Sequence, residues 1–161
     1  MIDIGNHSYT FTDLPFFVSV GKYSSIAEGV DFIDPNTHLC TVNKKCVYTY
    51  NWDQPTNTDY KIIIGNDVWI GKGVSIIPPV TIGNGVIVGA YSVVAKDIPP
   101  YALVIGNPGR VKRYRFPKEQ VTALEQIQWW NWPKITNDHI IEMQNVDSFI
   151  KKYEKTNTTT N

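Results

Sequence analysis

The sequence has no charge imbalance and no long apolar run. Lysine plus arginine number 15, aspartate plus glutamate also number 15, and the formal net charge is zero. A nucleic-acid surface would show as a basic excess or a basic stripe. No run of 18 apolar residues occurs, so nothing predicts a membrane span. We therefore expect neither nucleic acid nor membrane among the partners.

Features of an exported protein are also missing. The first ten residues contain no basic stretch followed by an apolar one, as a signal peptide would. Cys40 and Cys46 are the two cysteines, and in a chain without an export signal such a pair is more often two free thiols than a disulfide. Cytoplasmic residence is therefore the expectation.

A strict six-residue repeat runs from Ile64 to Pro99. The repeats are IGNDVW, IGKGVS, IIPPVT, IGNGVI, VGAYSV and VAKDIP. Their second position is small in five of six cases, and their fifth is aliphatic except for Ser92. A second block, VGKYSS and IAEGVD, begins at Val20 and is followed by Phe32. The first positions of the long block are all aliphatic: Ile64, Ile70, Ile76, Ile82, Val88 and Val94.

A period of six fits neither an α-helix nor a simple alternating strand. It fits a three-sided coil in which each unit forms one side and successive turns stack about 4.8 Å apart. The aliphatic first residue then points inward and stacks on its counterpart one turn away. Small residues, glycine and asparagine near the corners permit tight bends and positive φ. The pattern predicts a parallel β-helix, with a β-sandwich of glycine-rich turns as the alternative.

One long segment must leave the repeat, because Val20 and Ile64 are 44 residues apart, which is not a multiple of six. The excursion, residues 34–61, is polar and rich in Asn, Asp, Thr and Pro. Ordering such a loop costs entropy, so a loop of this length usually has a purpose. It contains His38 directly after a coil, which makes that imidazole a catalytic candidate.

The pattern changes to helical spacing at Pro117. A first helix is expected from there until just before Pro133, with apolar positions Val121, Leu124, Ile127 and Trp130. A second helix is expected to begin with Asn137 or Asp138 as its N-cap and to run towards Tyr153. The neighbouring tryptophans are expected to dock both helices on the coil: Trp129, Trp130 and Trp132.

These segments predict one domain with three parts. Residues 1–116 form the β-helix, with the excursion 34–61. Residues 117–153 form a helical extension of the same domain. Residues 154–161 are polar and are expected to be a disordered tail.

The stretch VSVGKYSSIAEGVDFI, then His38, then the six repeats and GNPGRVKRYRF, resembles the hexapeptide-repeat acyltransferases. The phrase WWNWP is similar to the tryptophan-rich motif of their xenobiotic acetyltransferase branch, which includes chloramphenicol, streptogramin and related sugar acetyltransferases. The resemblance covers roughly residues 18–133. It implies a left-handed β-helix with C-terminal α-helices, and a homotrimer with active sites between neighbouring coils.

The resemblance further implies transfer of an acetyl group from acetyl-CoA to a small acceptor. His38 matches the family's loop histidine and would act as general base, removing a proton from a hydroxyl or amine that attacks the thioester directly. No acyl-enzyme is needed. Backbone N–H groups of the neighbouring coil would stabilise the oxyanion.

Cofactor positions follow from the same match. Gly89 and Ala90 are small enough for pantetheine to approach the backbone, and Ser92 and Lys96 follow on the next corner. Trp69, at an outward sixth position, would flank the acyl cleft or pack in the trimer interface. The run GNPGRVKRYR offers cations for the phosphates of CoA, unless it is simply a solvated basic end. Its candidates are Lys112 and Arg113, with Arg110 and Arg115 nearby.

The region that would bind the acceptor is where the chain departs from the family it resembles. Drug-modifying members carry a Ser-Thr-Tyr-Pro-Phe-like segment after the loop histidine, whereas this chain has CVYTYNW. Gly109 also replaces a usual alanine. We therefore expect a sugar, such as a nucleotide-linked amino sugar, with an antibiotic as the alternative and O- or N-acetylation left open. The pocket candidates are Tyr23, Asn36, Tyr48 and Trp52.

Two other functions suit the same coil. A zinc hydratase needs three histidines converging on one metal. Here His7, His38 and His139 are scattered and none lies in the long block, so we expect no metal. A non-enzymatic trimeric scaffold would explain the coil but gives no reason for His38 beside a polar loop.

Overall fold

The computed structural model describes residues 3–33 and 61–154 of the chain. These residues form two compact units that divide between Arg113 and Tyr114. The first unit consists of short strands and the second of helices. No helix in the described ranges is both long and apolar enough to cross a membrane.

The strands of the first unit form three stacked sides. Side A contains β1 (Asp3–Ile4), β3 (Val18–Val20), β6 (Ile62–Ile64) and β9 (Val80–Ile82). Side B contains β2 (Tyr9–Thr10), β4 (Ser25–Ile26), β7 (Trp69–Ile70), β10 (Ile87–Val88), β12 (Ala102–Ile105) and β13 (Arg110–Tyr114). Side C contains β5 (Asp31–Phe32), β8 (Ser75–Ile76) and β11 (Val93–Val94).

Successive coils stack in register, with equivalent residues of the long block 18 positions apart. From β1 to β12, all three sides show parallel pairing, which confirms the predicted parallel β-helix. The paired first-position residues are Ile64 with Ile82, Ile70 with Val88, and Ile76 with Val94.

The core is the stack of inward side chains at the first and fifth positions of each repeat. Every first-position residue from Ile64 to Val94 is at most 2% exposed. Burying such aliphatic chains contributes about 1.5–3 kcal/mol each relative to leaving them exposed. The fifth-position residues Val68, Val74, Val80 and Val86 line the same interior.

One coil begins earlier than the repeat pattern indicated. The N-terminal stretch supplies β1 and β2, whose residues Ile4 and Thr10 pair with Val20 and Ile26. The hexapeptide IGNHSY at Ile4 matches the repeat, but the next unit begins with a polar threonine. Because of that interruption, the six-residue period alone does not predict the additional N-terminal coil.

The corners explain why small residues recur at the second position. Positive φ falls at the fourth position instead, for example at Tyr23 (59°) and Asp67 (55°). At the second position the reason is close approach. A Cβ on Gly71 would lie 2.7 Å from the backbone nitrogen of Ala90 in the next coil, closer than real Cβ atoms come.

The first helix of the second unit is shorter than its apolar spacing predicted. Helix α1 spans Lys118–Ile127 and ends because Gln128 adopts the left-handed conformation, with φ of 47°. The Gln128 N–H donates to the carbonyl of Leu124, which closes the last turn. Trp130 therefore lies in a separate 3₁₀ turn, Trp129–Asn131, although its side chain is buried as the pattern required.

The predicted second helix is two helices, and its predicted cap was wrong. Helix α2 (Asn137–Glu142) is capped by Thr136, whose hydroxyl accepts from the His139 N–H while the His139 ring accepts from the Thr136 N–H. This reciprocal pair satisfies two backbone donors. Helix α3 (Val146–Tyr153) starts anew because the Asn145 side chain accepts from the Ser148 N–H.

Aromatic packing holds the helical unit together. Trp132 packs on Phe149 and Tyr153 with centroid distances of 5.8 and 4.7 Å. Tyr153 donates to Glu142 at 2.7 Å, and Lys152 also binds that carboxylate. The hydrogen bond from Lys152 is the main reason that the pKa of Glu142 is lowered. That the tryptophans dock the helices on the coil stays a prediction.

The predicted excursion and the predicted disordered tail also stay predictions. The excursion lies outside the described residues up to position 60, and so does the tail from position 155. The proposed domain extents therefore stay predictions.

Candidate active site

A groove lies on the outer face of side B, where sixth-position side chains of three coils form a ladder. Tyr9 is in register with Ser25, and Ser25 with Trp69. Their strand neighbours point inward, so these three face outward. Tyr9 and Trp69 are 55% and 54% exposed. A small serine between two large rings leaves a notch on an otherwise flat face.

The groove has a volume of about 400 Å³, in the range of small-molecule sites. Tyr9 meets Phe11 edge to face at 5.6 Å between centroids, which makes one aromatic wall. Trp69 makes the opposite wall. The lining is completed at the corner after side B by Glu28 and Lys72, with Ser25 and Ala27 between.

Glu28 and Lys72 form an ion pair across two coils. Lys72 donates from Nζ to the Glu28 carboxylate, and both side chains are more than half exposed. This hydrogen bond lowers the pKa of Glu28 and raises the pKa of Lys72. Both groups are therefore charged throughout the neutral range, and their charges cancel.

The predicted cofactor segment lies one coil beyond the groove. Ile87 is in register with Trp69, and the Tyr91 N–H donates to the carbonyl of Lys72 at 2.9 Å. Gly89 and Ala90 therefore follow the groove at the distance of one coil, about 4.8 Å. The structure thus brings Trp69 together with Gly89 and Ala90 on one side and corner of the coil.

Ser92 has an internal role. Its side chain is fully buried, its hydroxyl donates to the Gly89 carbonyl at 2.7 Å and accepts from the Gly106 N–H at 3.1 Å. Ser24, at the same position of its repeat, bridges the Gly65 carbonyl and the Val68 N–H. A cofactor contact by Ser92 stays a prediction, and the hydroxyl is already engaged inside the coil.

The predicted basic residues lie on the surface. Lys96 is exposed at a corner of the last repeat, and Lys112 and Arg113 are exposed on β13. Strand β13 is the neighbour of β12 at the end of side B. Their role in holding phosphates stays a prediction.

Of the predicted acceptor residues, Tyr23 lies within the described structure. Its ring stacks on His7 at 4.7 Å between centroids and an interplanar angle of 15°. It lies at a corner and is not among the residues that line the groove. His38, Asn36, Tyr48 and Trp52 lie outside the described residues.

Sequence reasoning missed Tyr9, Phe11, Glu28 and Lys72. The signal for Tyr9 was present, because IGNHSY and IGNDVW place Tyr9 and Trp69 at the same sixth position. Residues 3–33 and 61–154 hold no cluster of three His, Cys, Asp or Glu side chains suited to a metal ion.

Comparison with known proteins shows the family of this chain. Residues 61–96 match the model described as Bacterial transferase hexapeptide (six repeats). The "Probable macrolide acetyltransferase" of Lysinibacillus sphaericus is 39% identical over 124 residues, 70% of this chain and 68% of that protein. The chain belongs to the hexapeptide-repeat acetyltransferases. A chloramphenicol acetyltransferase of Morganella morganii is 46% identical, and this chain spans 59% of its length.

A solved structure agrees with this membership. The maltose O-acetyltransferase from Clostridium difficile 630 superposes with a TM-score of 0.53 and 29% identity, over 72% of this chain and 60% of that one. Membership of the hexapeptide-repeat acetyltransferases also establishes the left-handed sense of the coil, as the sequence resemblance implied.

Proposed function

We propose that this protein transfers an acetyl group from acetyl-CoA to a hydroxyl or amine of a small acceptor held in the groove on side B. The observation that carries the proposal is the position of the groove. Trp69 and Lys72 line it, and the residues one coil beyond them are Ile87 and Ala90, in the segment that the family uses for CoA. Acceptor and thioester would therefore meet at one corner.

The chemistry is direct acyl transfer. The acceptor atom attacks the thioester carbonyl, forming a C–O or C–N bond, and its proton passes to the base. The C–S bond then breaks, and CoA leaves as a thiol after receiving a proton. We propose His38 as the base because it matches the family's loop histidine, and such catalysis typically contributes about 10²–10⁴-fold.

Cofactor binding is proposed along the coil and at its basic end. Gly89 and Ala90 would admit the pantetheine arm because they lack long side chains, and Trp69 would flank the acyl group. Lys96, Lys112 and Arg113 would face the phosphates. Charge-assisted bonds to phosphate are the strong ones, which suits exposed cations on β13.

For the acceptor we propose a sugar, with an antibiotic as the second candidate. The solved maltose O-acetyltransferase supports a sugar. The relatives named macrolide and chloramphenicol acetyltransferases support an antibiotic. Tyr23, Asn36, Tyr48 and Trp52 stay candidate contacts beyond the groove. Cytoplasmic residence stays part of the proposal.

We propose a homotrimer as the working assembly. Ile87 and Leu103 continue the outward ladder beyond Trp69 and give side B an apolar strip. Sedimentation velocity at micromolar concentration should give the mass of a trimer. A stable monomer would contradict both the assembly and an active site shared between subunits.

The function is tested by thiol release. The purified chain is incubated with acetyl-CoA and a panel of sugars, amino sugars, chloramphenicol and a macrolide, and free CoA thiol is titrated. Acceptor-dependent release is expected, with an acetylated product of matching mass. Release with none of the acceptors would favour the non-enzymatic scaffold.

A further inference from the structure

We infer that the Glu28–Lys72 pair is a specificity element that restricts the groove to an uncharged, hydroxyl-bearing ring of the acceptor. The inference rests on the proposed acetyl transfer and narrows its substrate class. It excludes a phosphate or an ammonium from this part of the acceptor, so a nucleotide-linked sugar would have to place its phosphates elsewhere.

The walls of the groove suit the faces of a ring. Tyr9 and Trp69 stand two coil spacings apart, about 9–10 Å between their backbones, with Ser25 as the floor. Phe11, which is 72% exposed, extends the wall on the Tyr9 side. Aromatic surfaces of this kind bind the apolar C–H faces of a saturated ring, and the volume of about 400 Å³ admits one or two rings.

The ion pair offers hydrogen bonds of both kinds at the end of this slot. One ammonium hydrogen of Lys72 and one oxygen of Glu28 serve their mutual bond. The ammonium keeps two further donors, and the carboxylate keeps further acceptor sites. Two adjacent hydroxyls could therefore donate to Glu28 and accept from Lys72 without breaking the pair.

A charged ligand would be repelled by the member of the pair that has the same charge, and would not form a hydrogen bond with it. A phosphate would face the Glu28 carboxylate, and an ammonium would face Lys72, while the pair as a whole carries no net charge. Mixed charges of this kind select by repelling the wrong ligand as well as by binding the right one.

The coil itself does not require the pair. Ala90 stands at the same corner position one coil beyond Lys72, so that corner closes without a charged residue. Exposed ion pairs contribute little to stability. Glu28 and Lys72 therefore have a role because they line the groove, and not because the fold needs them.

The test measures ring binding directly, so that it does not depend on turnover. Methyl glucopyranoside, glucosamine and glucose 6-phosphate are titrated at pH 6.5, and binding is followed by Trp69 fluorescence, assigned by difference from Trp69→Phe. The variants are Glu28→Gln and Lys72→Gln. Glu142→Gln is the matched control, because it removes another Lys–Glu pair, which lies in the helical unit and does not line the groove.

The wild type should prefer the neutral glycoside. Glu28→Gln should shift the ratio of Kd values towards the phosphate by about tenfold, and Lys72→Gln should shift it towards the amino sugar by a similar factor. Glu142→Gln should leave both ratios unchanged. Ratios that stay within twofold in both groove variants would overturn the inference, as would a wild type that binds none of the three rings.

Two further results separate this inference from the proposed function. Selective ring binding without thiol release would retain the specificity element and reject acetyl transfer. Thiol release with unchanged selectivity in the variants would support acetyl transfer and reject the specificity element. A change of sedimentation coefficient in Glu28→Gln would show that the groove is filled by another copy of the chain, and would also overturn the inference.

Discussion

Val20 and Ile64 are paired neighbours on side A although 44 positions separate them in the sequence. Equivalent residues of the uninterrupted block are 18 positions apart, as with Ile64 and Ile82. The pair Val20–Ile64 therefore spans 26 more positions than the pair Ile64–Ile82. His38 belongs to the residues between Ile33 and Lys61 in the sequence, so the predicted catalytic residue lies between two segments of the coil that pair with each other.

The first prediction tests the interior stack. Ile70 is fully buried between Ile26 and Val88, so Ile70→Ala should lower the free energy of unfolding by about 2–5 kcal/mol. Ile63 faces outward and is 46% exposed, so Ile63→Ala should change it by less than about 1 kcal/mol. Urea denaturation of both variants is the measurement. Equal losses would contradict the assigned register.

The second prediction separates a structural from a cofactor role for Ser92. Ser24→Ala and Ser92→Ala should both lower the free energy of unfolding by about 1–3 kcal/mol, because each leaves buried backbone groups without a partner. If Ser92 also lines the cofactor site, only its variant should raise the KM for acetyl-CoA. An unchanged KM would remove Ser92 from that site.

The third prediction concerns the basic end. Lys112→Ala should weaken CoA binding by about 1–3 kcal/mol, the worth of a charge-assisted bond to phosphate. Dephospho-CoA should bind the wild type and the variant almost alike. Lys151→Ala, an exposed lysine in α3, is the control and should have no effect. Equal losses for both ligands would show that the 3′-phosphate is not the partner of Lys112.

The coil was predictable because the residue types within each repeat indicate which side chains face the core and which face outward. An aliphatic residue every six positions leaves one way to bury the stack, as the pairing of Ile70 with Val88 shows. The helix ends were harder to predict, because local backbone conformation and side-chain capping decide where a helix stops. Gln128 takes a left-handed conformation, and Asn145 caps a new helix, although the apolar spacing continues through both regions.

The groove was less predictable than the coil. Its walls come from Tyr9 and Trp69, which are 60 positions apart in the sequence and face one groove only because β2, β4 and β7 stack in that order. The Glu28–Lys72 pair likewise joins residues that lie on either side of the excursion in the sequence. Contacts of this kind depend on how the two blocks of repeats are aligned with each other. The six-residue period shows that the blocks are interrupted, but not which of their residues pair.

A competing mechanism would use Cys40, two positions from His38, as a nucleophile. It predicts a burst of free CoA and an acetylated protein in the absence of acceptor, and loss of activity in Cys40→Ala. Direct transfer predicts no burst and a modest effect of that substitution. Rapid-quench measurement of thiol release, with mass analysis of the protein, distinguishes the two.

The central claim is general-base catalysis by His38, and His38→Ala tests it most directly. We expect kcat to fall by about 10²–10⁴-fold at saturating acceptor, with the KM for acetyl-CoA nearly unchanged. The wild-type rate should fall on the acid side as a group with a pKa near 6–7 is protonated, and this limb should be absent from the variant. The Glu28–Lys72 pair does not titrate there, because its pKa values are shifted away from neutrality in both directions. His7→Asn, which keeps a residue that tolerates the positive φ of that position, should retain wild-type kcat. A His38→Ala enzyme that keeps most of its kcat, or keeps the same acid limb, would contradict the account.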